Sequence, residues 1–299
     1  MKILITGGNG TLGQAIMRHY PEHTYAIICR NELHLKETVQ EFGCSAFLGS
    51  INDYDFLVKS FQSFLPDAVI HAAAIKHFDI AEKYPIATIQ TNINGTINVM
   101  DAAQHVGIPL LVGISTDKAC NPRNVYGQSK LMLEKLFSSV ESENKFLTVR
   151  FANIANSSGS VIQIWLKQYR NKQPLTITDP SMLRLMFSQK EAATFVMNVL
   201  ASEKEYPNGS TICKLTSAVK MGDLANSIST DIRIVGMRSG EKISEDLISL
   251  DELPYTKILS NNMVLITSTE NSDNTTRLEK PYNAQTAPKM LDTQILSLL

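Results

Sequence analysis

The feature that most constrains the fold lies at the start of the chain, where a short apolar run passes directly into closely spaced glycines. Residues Lys2–Thr6 read KILIT, and Gly7, Gly10 and Gly13 follow within TGGNGTLG. A strand that turns through such glycines into a helix lets the main chain approach a pyrophosphate and places the phosphates at the helix N-terminus. The spacing therefore predicts a dinucleotide-binding unit.

Apolar runs and helical patterns alternate along the first half of the chain. Further strands are predicted at Tyr25–Cys29, Ala46–Leu48, Ala68–Ala74, Leu110–Ile114 and Phe146–Phe151, and the longest helical region at 86–106. This alternation is typical of α/β proteins. It predicts a Rossmann-type doubly wound parallel sheet over residues 1–154, which binds NAD(P).

The second half of the chain is less regular. Residues 155–299 are predicted to form a smaller C-terminal α/β substrate-binding domain, with some strands and helices returning to the Rossmann core. Arg184 stands alone among apolar neighbours there. An arginine in such a run needs an anionic partner, and a phosphate is a natural one. The residues after about Tyr255 are polar and poorly patterned, and no chemistry is assigned to them.

Two strand ends add detail to the predicted cofactor site. Arg30 follows the second strand, where an acidic residue would contact the ribose of NAD. An arginine there suits a 2′-phosphate, so NADP is the expected cofactor and NAD the alternative. Ala72 and Ala73 close the fourth strand and leave room for a flat ligand. Lys76 and His77 lie just beyond that strand, where ligands bind in such sheets.

The stretch 115–130, STDKACNPRNVYGQSK, holds most of the candidate chemistry. Thr116, Asp117 and Lys118 follow the fifth strand, and Tyr126 and Lys130 lie one turn apart at the start of a helix. A nearby cation lowers the pKa of a phenol by stabilising the phenolate, which would make Tyr126 a usable base. The pattern predicts an active site at this strand end.

Composition excludes several other classes of function. The chain has 299 residues, 43% of them hydrophobic, and a net charge of −1. Such a balance predicts no binding to nucleic acid or to an anionic membrane surface. No apolar run is long enough to span a bilayer. The four cysteines lack CxxC spacing, so neither a metal site nor disulfides are expected. Reduced thiols of this kind are typical of a cytoplasmic protein, which is the predicted location.

Three segments carry a resemblance to a known family, namely 71–103, 115–137 and 236–252. Together with TGGNGTLG they resemble an extended short-chain dehydrogenase/reductase. More narrowly, they are similar to the UDP-N-acetylglucosamine 4,6-dehydratases of the PseB, CapE and CapD type, which are polysaccharide biosynthesis proteins. The similarity runs from the N-terminus to about Thr256.

The resemblance implies a lyase that converts UDP-N-acetylglucosamine to a UDP-4-keto-6-deoxy sugar for surface glycans, using a tightly bound and recycled NAD(P). Tyr126 would take the 4-hydroxyl proton, Thr116 would bond O4, and Lys130 would hold the nicotinamide ribose. Asp117 is the matching general acid and Lys118 the matching base at C5. The expected cofactor contacts are Gly7, Gly10, Thr11, Leu12, Arg30, Asp53, Ala72, Ala73, Lys76, Tyr126 and Lys130. The expected substrate contacts are Lys76, His77, Asn153, Ser160, Arg184, Arg238 and Glu241.

Several alternatives stay open at this point. A UDP-sugar 4-epimerase or reductase would share Tyr126 and Lys130 without needing Asp117 and Lys118. A non-catalytic dinucleotide-binding regulator would need none of these four. The resemblance also implies a homo-oligomer, either dimer or hexamer. Tyr126 favours inversion over retention at C5, because retention accompanies replacement of this tyrosine in the family.

Overall fold

A computed structural model describes residues 1–238, 240–260 and 262–299; Ser239 and Asn261 lie outside the described residues. The first half supplies six parallel strands of a central sheet in the order β3-β2-β1-β4-β5-β6. Their bounds are β1 Lys2–Thr6, β2 Thr24–Cys29, β3 Ser45–Leu48, β4 Ala68–His71, β5 Leu110–Thr116 and β6 Lys145–Phe151. This order is that of a Rossmann sheet, so the predicted fold class is confirmed.

Helices cover both faces of the sheet. They are α1 Thr11–His19, α2 Glu32–Phe42, α3 Tyr54–Phe64, α4 Phe78–Lys83, α5 Pro85–Ile89, α6 Gly95–Val106 and α7 Val125–Ser138. Alternate side chains of a strand point to opposite faces, and β1 shows the result. Ile3 and Ile5 pack into one buried apolar cluster and Leu4 into another. Because both faces are covered, the central strands read as continuous apolar runs rather than as alternating ones.

The second half adds the remaining elements. They are β7 Asn153–Ile154, α8 Val161–Arg170, β8 Leu175–Ile177, β9 Leu183–Phe187, α9 Gln189–Ala201, β10 Thr211–Lys214, β11 Ala218–Lys220, α10 Met221–Asn226, β12 Ile232–Ile234, β13 Asp246–Ile248, β14 Thr256–Ile258, β15 Met263–Ile266, β16 Tyr282–Asn283 and α11 Asp292–Leu296. Strand β10 continues the parallel sheet beside β6, and β15 and β14 extend it antiparallel. Small sheets β11-β9-β7, β12-β8 and β13-β16 stand beside it.

One expectation about an individual element was wrong, and two further regions show detail that the sequence did not indicate. Strand β4 ends at His71 rather than at Ala74, and the residues after it leave the sheet to line a cavity. The helical region 86–106 is interrupted by a π-helical turn at Gln90–Asn94. The described residues after Tyr255 hold the short strands β14, β15 and β16 and the helix α11; β14 and β15 form because pairing at the sheet edge supplies what their weak sequence pattern lacks. Within the described residues, no helix has both the length and the apolar character needed to cross a membrane.

Candidate active site

A cavity of about 1030 Å³ opens at the carboxyl ends of the parallel strands and is lined by residues of both halves of the chain. Ligands of doubly wound sheets bind at this end of the strands. The volume lies at the upper end of the range for single small-molecule sites. The cavity therefore has room for a dinucleotide and a second ligand.

The glycine turn after β1 forms one end of the cavity. Gly7 has a φ of +69°, which side chains rarely adopt. A Cβ atom on Gly13 would lie 2.3 Å from the carbonyl oxygen of Gly8, so only glycine allows this approach of helix to turn. Gly7, Gly10, Thr11 and Leu12 all line the cavity. The free N–H groups at the start of α1 and the absence of a side chain at Gly10 suit a pyrophosphate.

Of two residues expected to contact the cofactor, Arg30 and Asp53, only Arg30 lines the cavity. Arg30 is exposed and lines the cavity just after β2. Asp53 does not line it: its carboxylate accepts a hydrogen bond of 3.0 Å from the N–H of Phe56 and caps α3. The expectation that Asp53 contacts the cofactor is therefore corrected to a helix-capping role.

The loop before α8 connects the cofactor end to the second half of the chain. The N–H of Ser158 donates to Thr11 Oγ1 at 2.9 Å, and Lys76 Nζ donates to the carbonyl of Ser158 at 2.8 Å. A Cβ on Gly159 would lie 2.6 Å from His77 Cε1. Among the described residues, the buried Ser160 Oγ has no hydrogen-bond partner, although Ser160 lines the cavity. This hydroxyl is available to a ligand.

The residues that end β5 form a closed hydrogen-bond cluster. Thr116 Oγ1 and Lys118 Nζ each donate to Asp117 Oδ1 at 2.9 Å. Asn153 Nδ2 donates to Asp117 Oδ2 at 3.3 Å, and Lys118 Nζ donates to Asn153 Oδ1 at 3.3 Å. Burial lowers the pKa of Lys118, but the carboxylates of Asp117 and Glu245 outweigh burial and raise it. The ammonium form of Lys118 therefore predominates in the resting cluster.

Tyr126 and Lys130 project from the first turns of α7; Lys130 is buried, whereas Tyr126 is partly exposed, and both line the cavity. Burial raises the pKa of Tyr126 to about 12, while the charge of Lys118 and hydrogen bonding with Thr116 act in the opposite direction. Burial lowers the pKa of Lys130 to about 8, and its Nζ donates to the carbonyl of Ile114 at 2.7 Å. The cation that lowers the pKa of Tyr126 is thus Lys118, whereas the sequence predicted that Lys130 would do so.

The expected substrate residues also reach this cavity, with partners of their own. Arg184 was expected to need an anion, but it donates to the carbonyls of Lys242 at 2.8 Å and Ile243 at 3.1 Å. Arg238 forms an ion pair of 2.8 Å with Glu241 and lies over the ring of Phe78. Lys76, His77, Asn153, Ser160, Arg184, Arg238 and Glu241 all line the cavity.

Sequence reasoning missed Glu245. This residue is only 5% exposed, yet it lines the cavity. Burial raises the pKa of its carboxyl group, and Asp117 raises it further, while Lys118, Arg184 and Lys242 lower it. The signal was the acidic pair Glu245-Asp246, but nothing in the sequence shows which of the two faces the cavity.

A buried ion network joins α7 to the segment that carries Glu245. Arg150 on β6 contacts Glu134 of α7 at 2.6 Å and Glu252 at 2.7 Å, and it donates to the carbonyl of Leu247 at 2.8 Å. Ser115 Oγ also donates to Glu134, at 2.6 Å. Arg150 therefore fixes the position of α7, and with it Tyr126, relative to residues 245–252.

Comparison with known proteins agrees with this geometry. The profile of a family described as "Polysaccharide biosynthesis protein" matches residues 3–267. The chain belongs to this family. The resemblance seen in the sequence is thereby confirmed, and with it the extended short-chain dehydrogenase/reductase architecture of the polysaccharide biosynthesis proteins.

Individual relatives cover most of the chain. The UDP-N-acetylglucosamine 4,6-dehydratase (inverting) of Campylobacter jejuni is 34% identical over 265 residues, which are 84% of this chain and 78% of the relative. The UDP-glucose 4-epimerase of Rickettsia bellii is 30% identical over 87% of this chain and 81% of its own. The crystal structure of Pen from Bacillus thuringiensis is 28% identical, with a TM-score of 0.90 over 99% of this chain and 98% of that one.

Proposed function

We propose that this polysaccharide biosynthesis protein is a UDP-N-acetylglucosamine 4,6-dehydratase that inverts C5 and serves surface glycan synthesis. The observation that carries the proposal is that Thr116, Lys118 and Tyr126 line one cavity, where Lys118 hydrogen-bonds Asp117 and its charge lowers the pKa of Tyr126. Besides a hydride acceptor, oxidation at C4 requires only a base such as Tyr126. Elimination also requires a group that removes the C5 proton, and Lys118 lies beside that base. The name of the C. jejuni relative supports the same activity.

The residues of the glycine turn fit a nicotinamide dinucleotide. When bound, the nicotinamide would take hydride from sugar C4 and return it to C6. Tyr126 removes the 4-hydroxyl proton, Thr116 hydrogen-bonds O4, and Lys130 holds the ribose. Burial raises the pKa of Tyr126 to about 12, and the nearby charge of Lys118 opposes this rise, which favours the phenolate that a base requires.

Arg30 supports NADP as the cofactor. Its side chain is exposed at the end of the cavity reached after β2. Arginine binds phosphate through several charge-assisted hydrogen bonds, so a 2′-phosphate would gain a partner that NAD does not use. NAD remains the alternative dinucleotide.

The part of the cavity around the start of α8 suits a UDP-sugar. Ser160 presents a hydroxyl without a partner in the described chain at the start of α8, a ten-residue helix. The N-terminus of a helix favours phosphate, and Arg184, Arg238 and Lys76 bring positive charge to the same space. These residues are proposed to bind the diphosphate and the uridine ribose.

We also propose a homo-oligomer, a dimer or a hexamer. Large apolar side chains are exposed on the neighbouring helices α4, α5 and α7 (Ile80, Ile86, Ile89 and Met132), and Tyr84 is exposed between α4 and α5. Such a patch favours a protein–protein contact. Light scattering coupled to gel filtration gives the mass directly, and a monomer would contradict the proposal.

The activity is tested by incubating the protein with UDP-N-acetylglucosamine and following the sugar nucleotide by mass spectrometry and proton NMR. Loss of one water, with ring couplings that report inversion at C5, is the expected result. The R. bellii relative favours 4-epimerisation as the second candidate. A product of unchanged mass with only C4 inverted would establish that candidate and reject the dehydratase.

A further inference from the structure

The loop that joins β7 to α8 reaches from the second half of the chain to the first. We call residues 156–160 of this loop the strap. Its tip is Ser158, whose N–H donates to Thr11 Oγ1 at 2.9 Å and whose carbonyl accepts from Lys76 Nζ at 2.8 Å. Thr11 is the first residue of α1, where the glycine turn is expected to place the pyrophosphate. Four strap residues line the cavity, namely Ser157, Ser158, Gly159 and Ser160. The strap therefore lies across the cofactor end of the cavity.

The strap is anchored at its base and lightly held at its tip. The carbonyl of Asn156 accepts hydrogen bonds from Gln163 at 3.2 Å and from Gln189 at 3.0 Å, both in the second half of the chain. Ser158 is exposed, so the two hydrogen bonds of the tip form in contact with water. Such bonds contribute little net free energy, because water can replace either partner. The tip can therefore separate from the first half while the base stays in place.

We propose that the strap is a gate, which closes over the bound dinucleotide and must open before the dinucleotide enters or leaves. This inference rests on the proposed function. That reaction returns a hydride to the sugar that gave it, so the dinucleotide has to remain bound between the two transfers. Enclosure by the strap slows departure without requiring any further contact with the dinucleotide.

The turn within the strap provides a selective test. The N–H of Ser160 donates to the carbonyl of Ser157 at 2.8 Å, and Gly159 has a φ of +73°. These are features of a type II turn, in which proline is common at the position that Ser158 occupies. Ser158→Pro therefore keeps the turn but removes the N–H that bonds Thr11. Ser158→Ala keeps that N–H and is the matched control.

The rates of NADPH binding and release are measured on the full-length protein. Stopped-flow fluorescence gives the association rate, and a chase with excess NADP gives the dissociation rate. In Ser158→Pro both rates are expected to rise by the same factor, about 2–10-fold, because one hydrogen bond of ordinary strength is lost. The dissociation constant is expected to stay within about twofold of wild type, since faster entry offsets faster release. Ser158→Ala is expected to match wild type in both rates.

Gly159→Ala perturbs the closed strap by a second route and covers the case in which Ser158→Pro does not fold. The added Cβ would lie 2.6 Å from His77 Cε1, at a φ that side chains rarely adopt. Both rates are again expected to rise together. Gly43→Ala is the matched control, because Gly43 has a φ of +63° and no described atom lies within 4 Å of its added Cβ. Its rates are expected to equal those of wild type.

The gate is overturned if dissociation alone becomes faster in Ser158→Pro and Gly159→Ala, since the strap would then be a direct contact of the dinucleotide. Unchanged rates in both variants, or equal acceleration in Ser158→Ala, also overturn it. If the wild-type protein binds no nicotinamide dinucleotide, the proposed function itself fails, which is distinct from a result confined to the exchange rates of the variants.

Discussion

Replacement of Arg150 by methionine is expected to destabilise the fold more than any other single change in the ion network. Four nitrogen-to-oxygen contacts of 2.6–3.1 Å join Arg150 to Glu134 and Glu252. The side chains of the three residues are only 2%, 6% and 22% exposed, respectively. Methionine keeps much of the volume but leaves two carboxylates without their cation. Breaking a buried pair in this way costs about 3–5 kcal/mol.

The loss can be measured by urea unfolding. The chain has a single tryptophan, Trp165, which is fully buried and reports on unfolding by fluorescence. Far-ultraviolet circular dichroism provides the second probe that a two-state analysis needs. At about 2 °C per kcal/mol, the midpoint of thermal unfolding is expected to fall by about 6–10 °C. A free energy of unfolding within about 1 kcal/mol of wild type at neutral pH would refute the reasoning.

Two controls test the cause of this loss. The double variant Arg150→Met/Glu134→Leu replaces the buried pair by apolar groups and is expected to recover at least about half of the free energy. Burial alone would raise the pKa of Glu252, but Arg150 and hydrogen bonds from Ser249 bring it below its ordinary value of 4.5. This stability is present above pH 4.5 and is lost as pH falls through the folded pKa. The difference between wild type and Arg150→Met should therefore narrow in acid.

Three further predictions follow from the site and the core. Tyr126→Phe is expected to reduce the first hydride transfer about 10²–10⁴-fold with the unfolding midpoint unchanged; normal formation of reduced nicotinamide would count against a base role. Arg30→Ser is expected to weaken NADPH binding roughly 10–100-fold and to change NADH binding little. Fluorescence titration measures both dissociation constants. An equal change in the two constants would rule out a contact between Arg30 and the 2′-phosphate. Burial, and to a lesser extent the charge of Lys130, lower the pKa of His71 to about 3. His71 in the unfolded chain binds a proton below about pH 6.5, whereas folded His71 does not, so the free energy of unfolding should fall by about 1.4 kcal/mol per pH unit from pH 6.5 towards pH 3. The fall should be less steep in His71→Asn. Parallel plots of unfolding free energy against pH for the two proteins would contradict this prediction.

The central parallel sheet could be predicted because its signals are local. Continuous apolar runs, the glycine turn and the intervening helical patterns all depend on neighbours in the sequence. Strands β14 and β15 could not be predicted from the sequence, because they are only three and four residues long and pair within a sheet whose other strands lie far away along the chain. The end of β4 was misplaced for a related reason: Ala72–Ala74 look like strand, but their backbone lines the cavity.

The candidate site divides in the same way. Residues close in sequence, such as Thr116 to Lys118, were placed together from the sequence alone. The exposure of each side chain could not be predicted, because it depends on packing between the two halves of the chain. Asn153 helps to close Asp117 off from the cavity, and Glu245 enters the cavity from a segment more than a hundred residues away along the chain. The roles of these residues remain predictions for experiment.

Transfer of an isotopic label within one sugar tests the central claim most directly. UDP-N-acetylglucosamine carrying deuterium at C4 is incubated with the protein in ordinary water, and the product is examined by NMR and mass spectrometry. A 4,6-dehydratase moves the deuterium to C6 of the 4-keto-6-deoxy product and leaves a solvent proton at C5. Deuterium retained at C4, or lost without appearing at C6, would contradict the account.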